Sequence, residues 1–278
     1  MSNFYNQYGP WALIAGGSEG IGRCFAEQLA AEGINLVLLA RKPAPLAEAA
    51  ADIAATHGVE VRSHGFDLTA PDLESRLLAI TEGLEIGLLI FNAGAMHGAG
   101  RFLDEPLDKQ LALLRLNCIG PTVFCHTLGR PMRKRGRGGM ILMSSMSGLT
   151  GGAYLSTYAA SKSFDIVLAE SLWGELADDG VHVLGLIAGA TDTPAMASSG
   201  VRFAEGQAMD PAEVAREGLE QLPYGPLHVA GEGNRLGVPL LRSENRRLSI
   251  ALMTSGAAAM YDLPIPKVLL KELEPPAE

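Results

Sequence analysis

The sequence predicts an α/β protein built on a doubly wound parallel sheet, and three observations predict it. Short apolar runs alternate with longer stretches of helical period. The runs are almost continuously apolar, Leu36-Val37-Leu38-Leu39 and Leu88-Leu89-Ile90-Phe91 among them, as strands are when helices cover both faces of their sheet. Each helical stretch is also long enough to carry the chain back and set the next strand parallel to the last.

The first strand falls at residues 11–15 and runs into a glycine-rich turn that opens a helix near 20–32. A second strand at 35–40 leads to a helix near 45–56. A third strand at 59–66 is followed by a helix near 72–81, and a fourth at 86–92 by a long helix near 107–135. That helix ends in Arg133-Lys134-Arg135 before Gly136; cations suit the negative end of the helix dipole and glycine stops the helix. A fifth strand at 139–144, a helix near 156–179 and a sixth strand at 181–188 complete the alternation.

After Thr191 the rhythm changes. Residues 195–206 are small and polar, Asp210-Pro211 signals a short helix start, and 223–237 is dense in glycine and proline, with a seventh strand near 227–230. Residues 246–260 are apolar and small. They read as a packed helix or a subunit contact ahead of a membrane-surface element, because Gly256 interrupts the pattern and the polar face lacks the cations of interfacial helices. No linker, repeat or charge block divides the chain, so one domain is expected over 1–278, with a core at about 10–194 and a variable lid and C-terminal segment at about 195–278.

With 278 residues, 47% of them hydrophobic and 19% charged, the chain can bury a large core without disulfide or metal staples. A net charge of −9 repels phosphate backbones, so no nucleic-acid partner is expected. Cys24, Cys118 and Cys125 form no Cys-x-x-Cys pair, and the six histidines show no ligand spacing, so no metal is expected. Unpaired thiols, the absence of a basic leader and no apolar run of about 18 residues point to a cytoplasmic protein without a membrane span.

Function is carried by two clusters. Directly after the first strand, Gly16-Gly17-Ser18-Glu19-Gly20-Ile21-Gly22 opens a helix. Glycines at 16, 20 and 22 permit a tight turn and a close backbone approach to a pyrophosphate, with the helix N-terminus aimed at it. The second strand then ends in Arg41-Lys42, with no carboxylate for a ribose 2′-hydroxyl and a guanidinium available to a 2′-phosphate, which favours NADP over NAD. Arg41 and Lys42 also read as a solvated pair, and Asp67 reads either as an adenine neighbour or as a turn cap.

The second cluster is Ser145, at the end of the fifth strand, with Tyr158 and Lys162 four residues apart on one helix face. A phenol with a free pKa of about 10 is a poor acid or base at neutral pH, and a neighbouring ammonium favours its phenolate. Tyr158 then exchanges a proton with a carbonyl or alcohol oxygen that Ser145 holds. The alternative is that Ser145 caps a turn and Tyr158 packs.

These residues, in this order over about 10–194, resemble the short-chain dehydrogenase/reductase family with its Rossmann-type fold. The resemblance makes Gly16, Ser18, Gly20, Ile21 and Gly22 the cofactor loop and Asp67 the adenine-side aspartate. It matches Asn92-Ala93-Gly94 to the motif after strand four, and Gly189 and Thr193 to the segment beside the nicotinamide. It implies that Asn117 holds a water linking Lys162 to solvent, and that Lys162 also contacts the nicotinamide ribose. Ala15, Phe91 and Ala188 depart from the family pattern without removing a catalytic group, and Glu19 stands where many NADP-preferring members carry a basic residue. The opening Tyr8 to Gly16 and the run Ile86 to Ile90 look like the branch of hydroxysteroid dehydrogenases and long-chain 3-oxoacyl-CoA reductases. This implies an NADP(H)-dependent enzyme interconverting a bulky apolar ketone and its alcohol, with Met96, Leu149, Tyr154, Met196 and Phe203 as pocket candidates. The resemblance also implies a homodimer or homotetramer built on the long helices. One rival is a nucleotide sensor or scaffold that keeps the fold without turnover; a second is a dehydratase, epimerase or dehalogenase on the same scaffold, which the single-domain length and the NADP cradle disfavour.

Overall fold

The computed structural model describes residues 3–94, 98–198, 201 and 206–274. Its elements run α1 (Asn3–Tyr8), β1 (Trp11–Ala15), α2 (Gly20–Ala31), β2 (Asn35–Ala40), α3 (Pro43–His57), β3 (Val61–Gly65), α4 (Leu73–Ile80) and β4 (Ile86–Phe91). Then follow α5 (Leu107–Leu114), a π turn (Arg115–Ile119), α6 (Gly120–Arg135), β5 (Gly138–Ser145), a 3-10 turn (Met146–Leu149), α7 (Ser156–Leu176) and β6 (Val181–Ala188). The remainder is α8 (Pro194–Ser198), α9 (Pro211–Gln221), β7 (Leu227–Val229), α10 (Glu232–Leu241), α11 (Arg246–Tyr261) and α12 (Lys267–Leu273).

The seven strands form one parallel sheet in the order β3-β2-β1-β4-β5-β6-β7. Strand order reverses between β1 and β4, and a crevice opens beyond the carboxyl ends of the strands at such a reversal. Side chains of β1 divide by parity: Ala12 and Ile14 join Phe25 and Leu29 on one face, while Leu13 and Ala15 join Phe124 and Leu128 on the other. Both faces are therefore dry, as the apolar strands predict.

Several boundaries differ from the sequence reading. The third strand is shorter, and its Arg62, Ser63 and Gly65 are exposed because it is the sheet edge. The helix near 45–56 starts earlier, at Pro43, whose ring suits the first helical turn. The helix near 107–135 runs continuously over those bounds, and a π turn within it, with one extra residue per turn, holds Asn117 in the interior. This stretch is long and apolar enough to cross a membrane by composition, yet α6 lies across the sheet with Phe124, Leu128 and Met132 buried in its core. Gly256 does not interrupt α11, whose buried residues are the small Ser249, Ala251, Thr254, Ala257 and Ala258.

Helices α1, α8, α10 and α12 were not signalled by the sequence. Helix α1 is six residues of polar sequence held by tertiary bonds: Gln7 Nε2 donates to Gly138 O (3.2 Å) and Gly180 O (2.9 Å), and the Tyr8 hydroxyl lies 2.6 Å from His182 Nδ1. Helix α10 contains Gly237 and Pro239, and those residues are what made the stretch read as loop.

Candidate active site

The glycine-rich turn sits at the switch between β1 and β4. Gly16 N and Gly17 N donate to Leu39 O (2.8 and 3.2 Å), while Ala93 N and Asn92 N donate to Ala15 O (2.7 and 3.1 Å), so the ends of β1, β2 and β4 are drawn together. Asn92 Nδ2 donates to Gly16 O at 3.0 Å. Gly16 has φ +85°, in the left-handed region that glycine favours. Gly22 packs so closely under this turn that a methyl there would sit 1.9 Å from Gly16 O. These backbones form a cradle that side chains would fill, at the N-terminus of α2, and it fits the pyrophosphate of a dinucleotide. Ser18 is buried beside it, Ile21 is half-buried, and Gly20 lies against Thr193, whose Cγ2 would be 3.1 Å from a methyl at position 20.

Arg41 and Lys42 are exposed at the end of β2, and Lys42 Nζ lies 3.4 Å from Glu19 Oε2. Asp67 Oδ1 accepts from Thr69 N (2.9 Å) and Thr69 Oγ1 (2.7 Å). These bonds, with Arg41 and Arg76 adding to them, hold the Asp67 carboxyl below its ordinary range. The turn-cap arrangement is thus present at Asp67. Gly189 packs on α10, where a methyl would meet Asn234 Oδ1 at 2.3 Å.

A second group converges on α7. Lys162 is 5% exposed; its Nζ donates to Met143 O (2.8 Å) and to Asp165 Oδ2 (2.9 Å). Asn117, fully buried on the π turn, donates from Nδ2 to Ser161 Oγ at 3.0 Å, and Ser161 Oγ donates to Tyr158 O at 2.8 Å. A methyl at Gly94 would sit 3.1 Å from Lys162 Nζ and 3.6 Å from Asn117 Oδ1, so the loop after β4, the π turn and α7 meet at one point. The Tyr158 side chain is half-buried and within electrostatic range of Lys162. Ser144 Oγ donates to Lys162 O at 2.7 Å and ties α7 to β5. Ser145 Oγ accepts from Ser147 N at 3.2 Å and so caps the 3-10 turn while standing at the end of β5. Asp165 was missed by the sequence reading, although its place three residues after Lys162 on a helix was a signal.

The short chain dehydrogenase family model matches residues 10–201. The chain belongs to the short-chain dehydrogenase family. Among its relatives, the 7β-hydroxysteroid dehydrogenase of Collinsella aerofaciens is 31% identical over 84% of this chain and 90% of that one. The very-long-chain 3-oxoacyl-CoA reductase of Neurospora crassa is 33% identical over 64% of this chain and 55% of that one. A solved structure from work on 7β-hydroxysteroid dehydrogenase stereoselectivity superposes with TM-score 0.84 at 29% identity, over 91% of this chain and 99% of that one. A Sphingobium yanoikuyae short-chain dehydrogenase in complex with NADPH superposes with TM-score 0.73 at 30% identity, over 80% and 87%. The protein is accordingly a short-chain oxidoreductase acting on CH–OH groups, of the hydroxysteroid and oxoacyl reductase branch, in a family that uses a nicotinamide cofactor.

Beside Tyr158 this short-chain dehydrogenase has a small cleft of about 30 Å³ whose lining mixes apolar Phe102, Leu113 and Leu155 with Tyr154 and the charged Glu105 and Lys109. Of the sequence's pocket candidates, Tyr154 lines it, Leu149 is buried in the core under α10, and Met196 lies on α8. Met96 and Phe203 lie outside the described residues. Residues 150–154 are fastened from the C-terminal side: Ala153 N donates to Thr254 Oγ1 (2.9 Å), the Tyr154 hydroxyl to Pro264 O (2.5 Å), and Arg246 Nη2 to Thr150 Oγ1 (2.8 Å). Tyr154 has φ +72°, which a non-glycine residue holds only when its surroundings enforce it.

Proposed function

We propose that this protein interconverts a bulky apolar ketone and its secondary alcohol with NADP(H), using Tyr158 as general acid and base. The observation that carries the reading is the convergence of Tyr158, buried Lys162 and buried Asn117 beside the glycine cradle. Bound nicotinamide supplies or accepts the hydride. Tyr158 gives its hydroxyl proton to the carbonyl oxygen in reduction and takes it back in oxidation. Ser145 holds that oxygen by a hydrogen bond from the end of β5. Lys162 sets a positive charge within electrostatic range of the Tyr158 hydroxyl and has a donor for the nicotinamide ribose. Asn117, on its π turn, orders a water that passes protons between Lys162 and solvent.

Gly16, Ser18, Gly20, Ile21 and Gly22 would hold the pyrophosphate, Asp67 would flank the adenine, and Asn92, Ala93, Gly94, Gly189 and Thr193 would flank the nicotinamide side. The preference for NADP rests on exposed Arg41. Lys42 supports it by pairing with Glu19, which weakens the repulsion that a carboxylate there exerts on a 2′-phosphate. The substrate class is argued from the likeness to 7β-hydroxysteroid dehydrogenases, with Phe102, Leu113 and Leu155 as the apolar part of a small cleft that also carries Glu105 and Lys109, and with the C-terminal segment, bonded to Tyr154 through Pro264, as its lid. Exposed Leu107, Leu111, Leu114 and Ile119 along the long helix and Phe164, Val167 and Trp173 on α7 support a homodimer or homotetramer built on those helices. The three free thiols support a cytoplasmic location.

The test is consumption of NADPH and NADH at 340 nm against ketosteroids, aryl ketones and 3-oxoacyl thioesters, with wild type beside Tyr158→Phe. NADPH-preferring turnover that falls by about 100-fold or more in the variant supports the reading. A Tyr158→Phe protein with unchanged turnover refutes it, and NADPH binding with silence in both directions returns the sensor.

A further inference from the structure

The mechanism above leaves one buried charge unused. Asp165 is 2% exposed, one turn along α7 from Lys162, with Oδ2 at 2.9 Å from Lys162 Nζ and Oδ1 buried without a hydrogen-bond partner. A sealed carboxylate with an orphaned oxygen is costly unless its charge is matched. Lys162 is just as sealed, and an isolated buried ammonium sheds its proton. Met143 O and Asp165 Oδ2 take two of its three hydrogens, which leaves one donor on a nitrogen that Gly94, having no side chain, does not cover.

No other charge on the surrounding elements serves the pair. Cys118 on the π turn and Cys125 on α6 lie within electrostatic range of Asp165, but burial pushes their thiols up to about 11 and about 12, so both are neutral. Arg115 on the π turn is exposed, Asp108 and Lys109 sit at the outer end of α5 with Lys109 paired to Glu105, and β5 carries no charged side chain. His182 on β6 is engaged by Tyr8, and His228 on β7 by Glu217. Among the described residues, the titratable groups that act on Lys162 besides Asp165 are Cys118 and Tyr158. Burial drives the Asp165 carboxyl up, while that carboxylate holds the Lys162 ammonium above its ordinary range against the opposing effect of burial.

We propose that Asp165 is a positioning residue of the active site, keeping Lys162 protonated and aimed so that Tyr158 exchanges its proton beside a fixed positive charge. The proposal rests on the reading of Tyr158 as the acid and base. It gives Asp165 no contact with substrate, only an action through the lysine.

The experiment is the pH profile of alcohol oxidation at saturating NADP, from about pH 6 to about pH 10, for wild type, Asp165→Asn and Asp165→Glu. Asp165→Asn is expected to raise the ascending limb by about one unit, a roughly tenfold loss of rate below it, while Asp165→Glu restores the limb. An unmoved limb in Asp165→Asn, or one moved to lower pH, overturns the proposal, since either means that the lysine keeps its charge unaided. Should Asp165→Asn fail to fold, 15Nζ-lysine NMR of the wild-type holoenzyme decides, with Lys162→Met as the assignment control. A Lys162 signal that stays ammonium to about pH 10 supports the proposal, and one titrating below about pH 8 overturns it. Tyr158→Phe separates the two claims: its loss of turnover keeps the mechanism whatever Asp165 does, and its unchanged turnover removes the mechanism while the NMR still reports on the lysine.

Discussion

Gly22→Ala tests the cofactor cradle without touching a chemical group. The added methyl would stand 1.9 Å from Gly16 O and 2.6 Å from Asn92 Nδ2. The first of these is backbone tied to Leu39, so no side-chain rotation relieves it, and the turn must retreat by about 1 Å. Overpacking of this kind costs about 1–3 kcal/mol, and a backbone clash belongs at the upper end. At about 2–4 °C per kcal/mol, Tm falls by roughly 6–12 °C. Wild type at a hundredfold excess of NADPH over Kd gains about 2.7 kcal/mol. If the 1 Å displacement weakens binding about 100-fold, the same concentration stabilises the variant by only about 0.4 kcal/mol. Differential scanning fluorimetry with and without NADPH reads both quantities. A variant with wild-type Tm and a wild-type NADPH shift would show that the glycines do not form the cradle described.

Four further outcomes follow from the same geometry. Arg41→Ala should weaken NADPH binding by about 10- to 100-fold and leave NADH nearly unchanged, the loss of one charge-assisted bond; equal effects on both, by fluorescence titration, count against Arg41 as the phosphate partner. Thr254→Val strands Ala153 N, at a cost of about 1–3 kcal/mol, and should raise the ketone KM more than the NADPH KM; steady-state kinetics with equal changes would remove the lid reading. Ser161→Ala takes the acceptor from Asn117 Nδ2 and should lower kcat with NADPH affinity retained, whereas an unchanged kcat would mean that the water relay needs no such anchor. Burial lowers the His182 pKa, so the unfolded chain binds more protons near its ordinary value of about 6.5 and stability falls as pH drops through that region. His182→Gln should flatten the dependence of Tm on pH there, and an unaltered slope would exclude the histidine as its source.

The sheet was legible because its physics is local: Leu36 to Leu39 and Leu88 to Phe91 are buried on both faces, and no other arrangement of such runs buries them as well. The spacing of Tyr158 and Lys162 was legible for the same reason, since four residues on a helix are neighbours in space. Asn117 was placed on a helix, but the π turn that buries it depends on how α5 and α6 each meet the sheet, which no short window encodes. Helix α10 was hidden by Gly237 and Pro239, which it carries because packing on the 3-10 turn outweighs propensity. Asp165 was overlooked because a lone acid on a helix usually faces water, and only the packing of α7 against the rest of the fold seals it.

The three bonds from Arg246, Thr254 and Pro264 to residues 150–154 carry a consequence for protein engineering. The family model ends at residue 201, which makes the remainder look like an exchangeable cassette. Yet this cassette grips the stretch that leads into the helix bearing Tyr158, and it holds Tyr154 in a backbone geometry that the stretch would not adopt alone. A chimera that imports another relative's C-terminal segment has to import the matching 150–154 sequence with it, or catalytic rate will change along with the selectivity it was meant to alter.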